Sequence, residues 1–373
     1  MFKRVIEKIR TSEFEAYLVT NEANRNYLCC KGNYFLPGVM LITEEEVYLA
    51  TPSRNINYFK SIYSEYTVLA GGVAELADIA KKLEITRMGY ESTTITMQEF
   101  TNVLDIFGGV DARAASNAVE FIPAPDFIED IRMIKTPAEI ELLQQATKLS
   151  DQAYLEFLNH LKVGMTEKQA RATFDHIFMS LGADEFSFPT LLSSGARAFM
   201  PHSVPTDKVI ERGDLVLMDF GIVLNGYCSD TTRTVVMGNA NERQKAVYNL
   251  VLKSQIHALD NIKAGMTCRE ADALARDVIV AELGVGELDF GLGQGAGCFD
   301  YGLGHGIGML VHEKPRFHPN SDYILSANTA MSVEPGIYIE GWGGIRIEDI
   351  LIIGEEKGGR NLTTAPKDQL LEI

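Results

Sequence analysis

Leu161-Lys162-Val163-Gly164-Met165-Thr166-Glu167 returns 101 residues later as Ile262-Lys263-Ala264-Gly265-Met266-Thr267-Cys268. Each copy follows a long helical pattern, and Ala170 and Ala271 hold the same place in the two frames, at the start of the next helix. Downstream, each half runs into an apolar extended segment that ends on an acid close to a glycine: Val216-Leu217-Met218-Asp219-Phe220-Gly221 and Met331-Ser332-Val333-Glu334-Pro335-Gly336. A second strand bearing a second acid follows each, at Asp230 and at Glu348. Gly-Met-Thr alone could recur by chance. A repeat that also sets matching carboxylates reads as a duplicated half-unit, whose pseudo-two-fold symmetry would bring both pairs of acids to one centre.

Working outward, Thr136-Pro137-Ala138-Glu139 is a capping box with proline at the first helical position, opening a helix expected from Ala138 to about Leu161. Just before it, Phe121-Ile122-Pro123-Ala124-Pro125-Asp126 carries two prolines two apart, which break either regular structure, and reads as a linker. Two domains are therefore expected, 1–124 and 125–373. The first opens on an amphipathic helix, continues into a strand at Ala16-Tyr17-Leu18-Val19-Thr20, and shows a hairpin with Glu44-Glu45-Glu46 at its turn. The fold class is α+β: a mixed α/β domain, then the duplicated one.

A chain of 373 residues is long for one core and suits two. Its 34 basic and 51 acidic side chains give 34 − 51 = −17. No net basic face is available to release counterions from phosphate, so no nucleic-acid partner is expected. With 46% hydrophobic and 23% charged residues the chain can bury a core and is not a disordered segment. Cys29, Cys30, Cys228, Cys268 and Cys298 form no C-x-x-C pair, which fits neither a zinc knuckle nor a disulfide scaffold. Cys29-Cys30 reads as two small apolar side chains in a strand. The N-terminus lacks the apolar region of a signal peptide, and no run approaches the ~20 residues that span a bilayer. A cytoplasmic protein with no membrane partner is expected.

The chemistry concentrates in polar positions set in apolar strands. An unpaired carboxylate at Asp219 would cost several kcal/mol to bury, so it must be paired, protonated or metal-bound. Period-two alternation puts Asp230, Thr232 and Thr234 on one face with Arg233 on the other, and groups Arg346 with Glu348 while Asp349 faces away. Gly302-Leu303-Gly304-His305-Gly306-Ile307-Gly308 lets backbone approach closely around one imidazole, with His312 shortly after. Any one of these acids alone reads as a buried salt-bridge partner. Four converging without cations would repel, and most would have to be protonated. Two divalent ions remove that conflict. The glycine run lacks the G-x-G-x-x-G and G-K-[ST] spacings of phosphate cradles, and no G-x-S-x-G elbow is present.

In these segments the sequence resembles the pita-bread metallopeptidases: methionine aminopeptidase, Xaa-Pro aminopeptidase and Xaa-Pro dipeptidase. The likeness runs from about Phe127 to the end, and Asn24 to Leu28 with Tyr90-Glu91 are similar to a creatinase-type N-terminal domain. A methionine aminopeptidase usually lacks that first domain, so the proline-directed branch fits better. The resemblance implies Asp219, Asp230, His305, Glu334 and Glu348 as ligands of two metal ions, with a hydroxide between them attacking an Xaa-Pro amide bond. It implies that Glu334 carries the proton, that His202 and His312 hold substrate and stabilise its developing charge, and that Arg316 clamps a substrate carboxylate. Arg346 and Thr232 would support the ligands, Arg346 by fixing Glu348, and Arg233 would be structural. A donor set of oxygens with one nitrogen suits Mn2+, with Co2+, Zn2+ or Fe2+ as alternatives. The partners implied are a short peptide substrate and a second copy in a homodimer, the first domain helping to dimerise the protein and restrict entry.

Three departures from the family pattern bear on substrate. Tyr301 stands where dipeptidases of this type often carry a histidine, Gly291 to Cys298 is unusually glycine-rich, and Met309-Leu310 replaces a leucine-acid pair. Two alternatives stay open: a hydrolase of another small amide or zwitterion, of the ectoine-hydrolase type, and a non-enzymatic binding protein on the same scaffold.

Overall fold

The apolar runs flanking Glu44-Glu45-Glu46 pair as an antiparallel hairpin, Ile42 opposite Val47 and Val39 opposite Ala50. They do so in a computed structural model that describes residues 2–29, 37–108, 119–284, 297–299 and 301–373. Contacts divide the chain into two units, Met1–Arg132 and Met133–Ile373.

The first unit runs α1 (Phe2–Ile9), β1 (Ala16–Val19), α2 (Glu22–Cys29), β2 (Val39–Thr43), β3 (Val47–Thr51), α3 (Ile56–Ile62), β4 (Thr67–Ala70), α4 (Val73–Lys82), β5 (Arg87–Tyr90), α5 (Met97–Ile106), β6 (Glu120–Pro123) and α6 (Glu129–Met133). Its six strands form one mixed sheet in the order β4-β3-β2-β1-β5-β6. Leu18, Leu41 and Met88 from the sheet pack with Leu76 and Ala80 of α4 and Val103 of α5. The segment read as a linker starts as structure instead. Glu120 to Pro123 pairs in parallel with Arg87 to Tyr90 as the last strand of the sheet, and an edge strand tolerates a proline that a central one would reject. Asn24 and Glu91 meet in this unit: Asn24 Nδ2 donates to Glu91 Oε1 at 2.7 Å, and Glu91 Oε2 accepts from the Thr20 and Asn21 amides.

The second unit holds α7 (Pro137–Leu158), α8 (Glu167–Ser180), β7 (Glu185–Phe186), β8 (Leu191–Ser194), β9 (Leu215–Phe220), β10 (Ile222–Leu224), β11 (Tyr227–Cys228) and β12 (Thr231–Val236). It continues with α9 (Glu242–Asn261), α10 (Cys268–Gly284), β13 (Gly297–Cys298), β14 (Gly304–Gly306), β15 (Glu313–Phe317), β16 (Ala330–Val333), β17 (Gly336–Ile339), β18 (Gly343–Arg346), β19 (Asp349–Ile352), β20 (Arg360–Asn361) and β21 (Leu371–Glu372). Thr136 caps α7 by accepting from the Glu139 amide, as the capping box predicts.

The sequence echo is a structural duplication down to single hydrogen bonds. Gly164 N donates to Ile210 O and Ile210 N to Met165 O; in the second copy Gly265 N donates to Leu325 O and Leu325 N to Met266 O. Thr166 bridges Val209 as Thr267 bridges Ile324. Gly164 and Gly265 both take positive φ, 94° and 85°, where a side chain would strain the turn. Ala170 and Ala271 are both fully buried under their helices.

The duplication also extends to how the strands change sheets. In the first half β9 and β12 belong to a four-stranded sheet (β21-β12-β9-β8), while β10 and β11 between them belong to a three-stranded one (β11-β10-β7). In the second half β16 and β19 belong to a five-stranded sheet (β15-β14-β16-β19-β20), and β17 and β18 to a three-stranded one (β13-β17-β18). The strands read as continuous through Asp230 and Glu348 are therefore each broken at the acid, where the chain leaves one sheet for the other. Among the described residues no helix is long and apolar enough to cross a membrane; Cys29, Cys228 and Cys268 are buried thiols, and Cys29 ends helix α2 rather than lying in the strand expected for it. Cys30 and the glycine-rich stretch up to residue 296 lie outside the described residues.

Candidate metal centre

All four acids stand at the ends of strands where the sheets exchange. Asp219 is the penultimate residue of β9, Glu334 directly follows β16, and Asp230 and Glu348 fill the breaks before β12 and β19. His305 is the middle residue of β14, which pairs with β16. The structure brings Asp230, His305 and Glu348 together with one ligand atom each, all within 4.8 Å of one another. Glu334 joins from the other side of the imidazole: His305 Nε2 lies 3.5 Å from Asp230 Oδ2 and 3.4 Å from Glu334 Oε1.

The imidazole's orientation is informative. Its Nδ1 lies 3.1 Å from the Gly306 carbonyl oxygen, which can only accept, so Nδ1 carries the proton and Nε2 presents a lone pair. That lone pair faces two carboxylate oxygens, an arrangement that needs a cation or a proton between them. Burial, and then the charge of neighbouring His312, push the His305 pKa down to about 3, which favours the cation. A histidine that donates one ring N–H to a carbonyl while offering the other nitrogen is the usual state of a metal ligand.

The carboxyls show the opposite shift. Burial raises Asp219, Asp230 and Glu348, and Glu334 climbs to about 7. Mutual repulsion adds to this at Asp230, from Glu348, Asp219 and Glu334. Asp219 Oδ1 is buried with no hydrogen-bond partner among the described residues, a costly state for a carboxylate oxygen unless a cation occupies its lone pairs. An orphaned carboxylate oxygen, a cluster of repelling acids and an aimed imidazole lone pair together fit divalent cations.

Arg346 organises the rest. Its Nη2 donates to Asp219 Oδ2 at 2.5 Å, Nε to Thr232 Oγ1 at 2.9 Å, and Nη1 to Tyr338 Oη at 3.1 Å and the Pro201 carbonyl at 3.3 Å. Thr232 Oγ1 in turn donates to Glu348 Oε2 at 2.6 Å. Arg346 thus supports Glu348 through Thr232 and grips Asp219 directly, with Glu334 Oε2 3.9 Å from its Nε. Through Pro201 it also anchors the segment bearing His202. His202 is exposed, and its charge acts on Asp219 and His312. The His312 ring meets that of His305 edge to face, centroids 4.3 Å apart. Arg316 sits directly across β14–β15 from His305. It is exposed, and among the described residues its guanidinium has no hydrogen bond or ion pair. Arg233 faces away from this cluster.

Three participants escaped sequence reasoning. Ser332 donates to Glu334 Oε1 at 3.2 Å and accepts from the His305 amide at 3.0 Å; strand alternation, which puts Ser332 and Glu334 on one face, could have found it. Tyr338 reaches Arg346 only because β17 and β18 pair Gly336 with Arg346. Tyr301, noted only as a departure, places its hydroxyl 2.7 Å from that of Tyr338.

A duplicated fold with buried acids from both halves around a single imidazole defines a metal-dependent hydrolase. Residues 141–355 match metallopeptidase family M24 and residues 1–134 match the creatinase/prolidase N-terminal domain. The chain belongs to metallopeptidase family M24. It is 33% identical to an Xaa-Pro dipeptidase of Pyrococcus horikoshii over 98% of this chain and 97% of that one. In three dimensions it matches an Xaa-Pro dipeptidase from Bacillus anthracis with a TM-score of 0.88 and 34% identity, covering both chains completely. It also matches an X-Pro aminopeptidase from Thermotoga maritima with a TM-score of 0.85 and 33% identity, over 98% of this chain and 99% of the other.

Proposed function

We propose that this chain hydrolyses the Xaa-Pro amide bond of dipeptides or short peptides, using two divalent ions held by Asp219, Asp230, His305, Glu334 and Glu348. The carrying observation is the convergence of Asp230, His305 and Glu348 ligand atoms within 4.8 Å, flanked by Glu334 on the imidazole and by the orphaned Asp219 Oδ1. The oxygen-rich donor set suits Mn2+, with Co2+, Zn2+ and Fe2+ as alternatives. When bound, the ions supply Lewis acidity for the substrate carbonyl and acidify water at neutral pH.

The protein's own groups do the rest. Glu334, whose Oε1 lies 3.4 Å from His305 Nε2, takes a proton and passes it to the leaving nitrogen. His312, edge to face with His305, and His202, held at the rim by the Pro201–Arg346 bond, orient the substrate and stabilise charge on its carbonyl oxygen, each by a factor of about 10² or more. Arg316, uncommitted among the described residues and across the strand from His305, clamps a substrate carboxylate, a role that favours the dipeptidase reading. The names of the relatives support both the dipeptidase and the aminopeptidase reading. A panel of Xaa-Pro dipeptides and longer Xaa-Pro peptides separates them. Release of free proline mainly from dipeptides, lost on Arg316→Ala, is the expected result. Equal cleavage of longer chains would remove the clamp, and cleavage confined to amides without proline would remove the substrate class.

A further inference from the structure

The acids assigned to the cations come from both halves of the duplication, so the distance between the halves sets the site. One buried side chain spans that gap from behind. Arg233, on β12, donates through Nη1 to the Thr232 carbonyl at 2.9 Å and to the Glu348 carbonyl at 2.6 Å. Its Nη2 donates to Asp349 Oδ1 and to the Ala365 carbonyl, both at 2.8 Å. Arg233 and Asp349 are 1% and 0% exposed, and the other oxygen of Asp349 is held by Asn361 Nδ2 at 2.7 Å and by Lys367.

The two carbonyls that Arg233 grips belong to Thr232 and Glu348, the same residues whose side chains meet on the site face. Thr232 lies in β12 of the four-stranded sheet, and Glu348 directly precedes β19 of the five-stranded one. A single bond between backbones joins them otherwise, Glu348 N to Thr232 O at 3.1 Å. A fully buried ion pair is a poor device for stability alone, because well-packed apolar residues of similar volume often do as well. What apolar residues lack is a rigid planar fork that can reach two carbonyls and a carboxylate at fixed angles.

We infer that Arg233, seated on Asp349, is a positioning residue: it fixes the acid-bearing strand of one half against that of the other and so sets the affinity of the cation site. The inference rests on the two-cation reading above. Lysine at this position keeps the charge but cannot make the fork, and the pair Arg233→Met with Asp349→Leu removes both charges together.

The test titrates Mn2+ calorimetrically into the metal-stripped full-length protein and records the melting temperature of the stripped form. Arg233→Lys, and the double variant where it folds, should bind Mn2+ about 10–100-fold more weakly than wild type, the scale on which outer partners tune metal sites. A purely structural pair would move only the melting temperature. If Arg233→Lys binds two ions with wild-type affinity, the inference is overturned, whether or not the double variant folds. If wild type itself takes up fewer than two ions, the two-cation reading fails, and the wild-type trace alone shows it.

Discussion

Thr232 has one hydroxyl and spends both of its capacities on the site. It accepts from Arg346 Nε and donates to Glu348 Oε2, so its direction is dictated by a guanidinium that can only donate and a carboxylate that accepts. Thr232→Val keeps the shape and the β-branching of the strand while deleting that link. It should lower metal-dependent kcat/KM about 10–100-fold with the far-UV spectrum unchanged; wild-type activity would show the link to be dispensable. The protonation of the cluster makes a second prediction. Glu334 rises from 4.5 to about 7, and Asp230 and Glu348 rise too, all chiefly through burial. A raised carboxyl contributes stability below its unfolded pKa and loses it as pH climbs through the folded value. His305 and His312 are lowered and work the other way, because the unfolded chain still protonates them near pH 6.5 and both are neutral in either state only above about 7.5. The melting temperature of the stripped wild type, measured against stripped Glu334→Gln so that the histidine contribution cancels, should therefore fall as pH climbs from about 5 to about 8. Added Mn2+, which binds deprotonated carboxylates, should raise it more at pH 8 than at 6.5, and a flat profile would contradict the picture. At this scale much was legible. Alternation alone separated Thr232 and Thr234 from Arg233, and Arg346 and Glu348 from Asp349, because buried strands obey a period of two. The partner of Arg346 was not, since Asp219 lies 127 residues away and only the docking of two sheets brings it within 2.5 Å.

The elements place these residues by close backbone approach. β14 carries His305 between Gly304 and Gly306, and a Cβ at Gly304 would collide with the Ser332 carbonyl, one at Gly306 with the Lys314 carbonyl. The alternating glycines read in the sequence as permitting close backbone approach around His305 are thus the condition for a strand to lie this near β15 and β16. Gly304→Ala should destabilise the fold by about 1–3 kcal/mol, as overpacking does, and weaken Mn2+ binding by displacing His305; denaturant melts with metal titration would register both. A neutral substitution would mean the strands have slack that the packing denies. The four acid positions follow a different logic. The strand ends at Asp219 and Glu334 were expected from the apolar runs, whereas the breaks at Asp230 and Glu348 were not. Period-two patterning reads the same on either side of a sheet exchange, so a strand that changes partners looks continuous in sequence.

Over the whole molecule, the duplicated unit was readable because one seven-residue frame repeats and carries its acids with it. The last strand of the first sheet was obscured because Pro123, at its edge, imitates a linker. The net charge of −17 had little to say about chemistry. Two bound divalent ions would change it only to −17 + 4 = −13, and the informative carboxylates are the four at strand ends. We propose that the first unit supports a homodimer and limits substrate size. A chain lacking residues 1–124 should then sediment as a monomer, or cleave longer peptides that the full chain refuses; unchanged mass and unchanged selectivity would assign both properties to the second unit. The central claim is two-ion hydrolysis of Xaa-Pro bonds. It is tested most directly by the initial rate of proline release from an Xaa-Pro dipeptide as Mn2+ is titrated into the stripped full-length protein. The account predicts no release without metal and a rate that saturates at two equivalents per chain. Full activity in the stripped protein, or none at any loading with Mn2+, Co2+, Zn2+ or Fe2+, would contradict it.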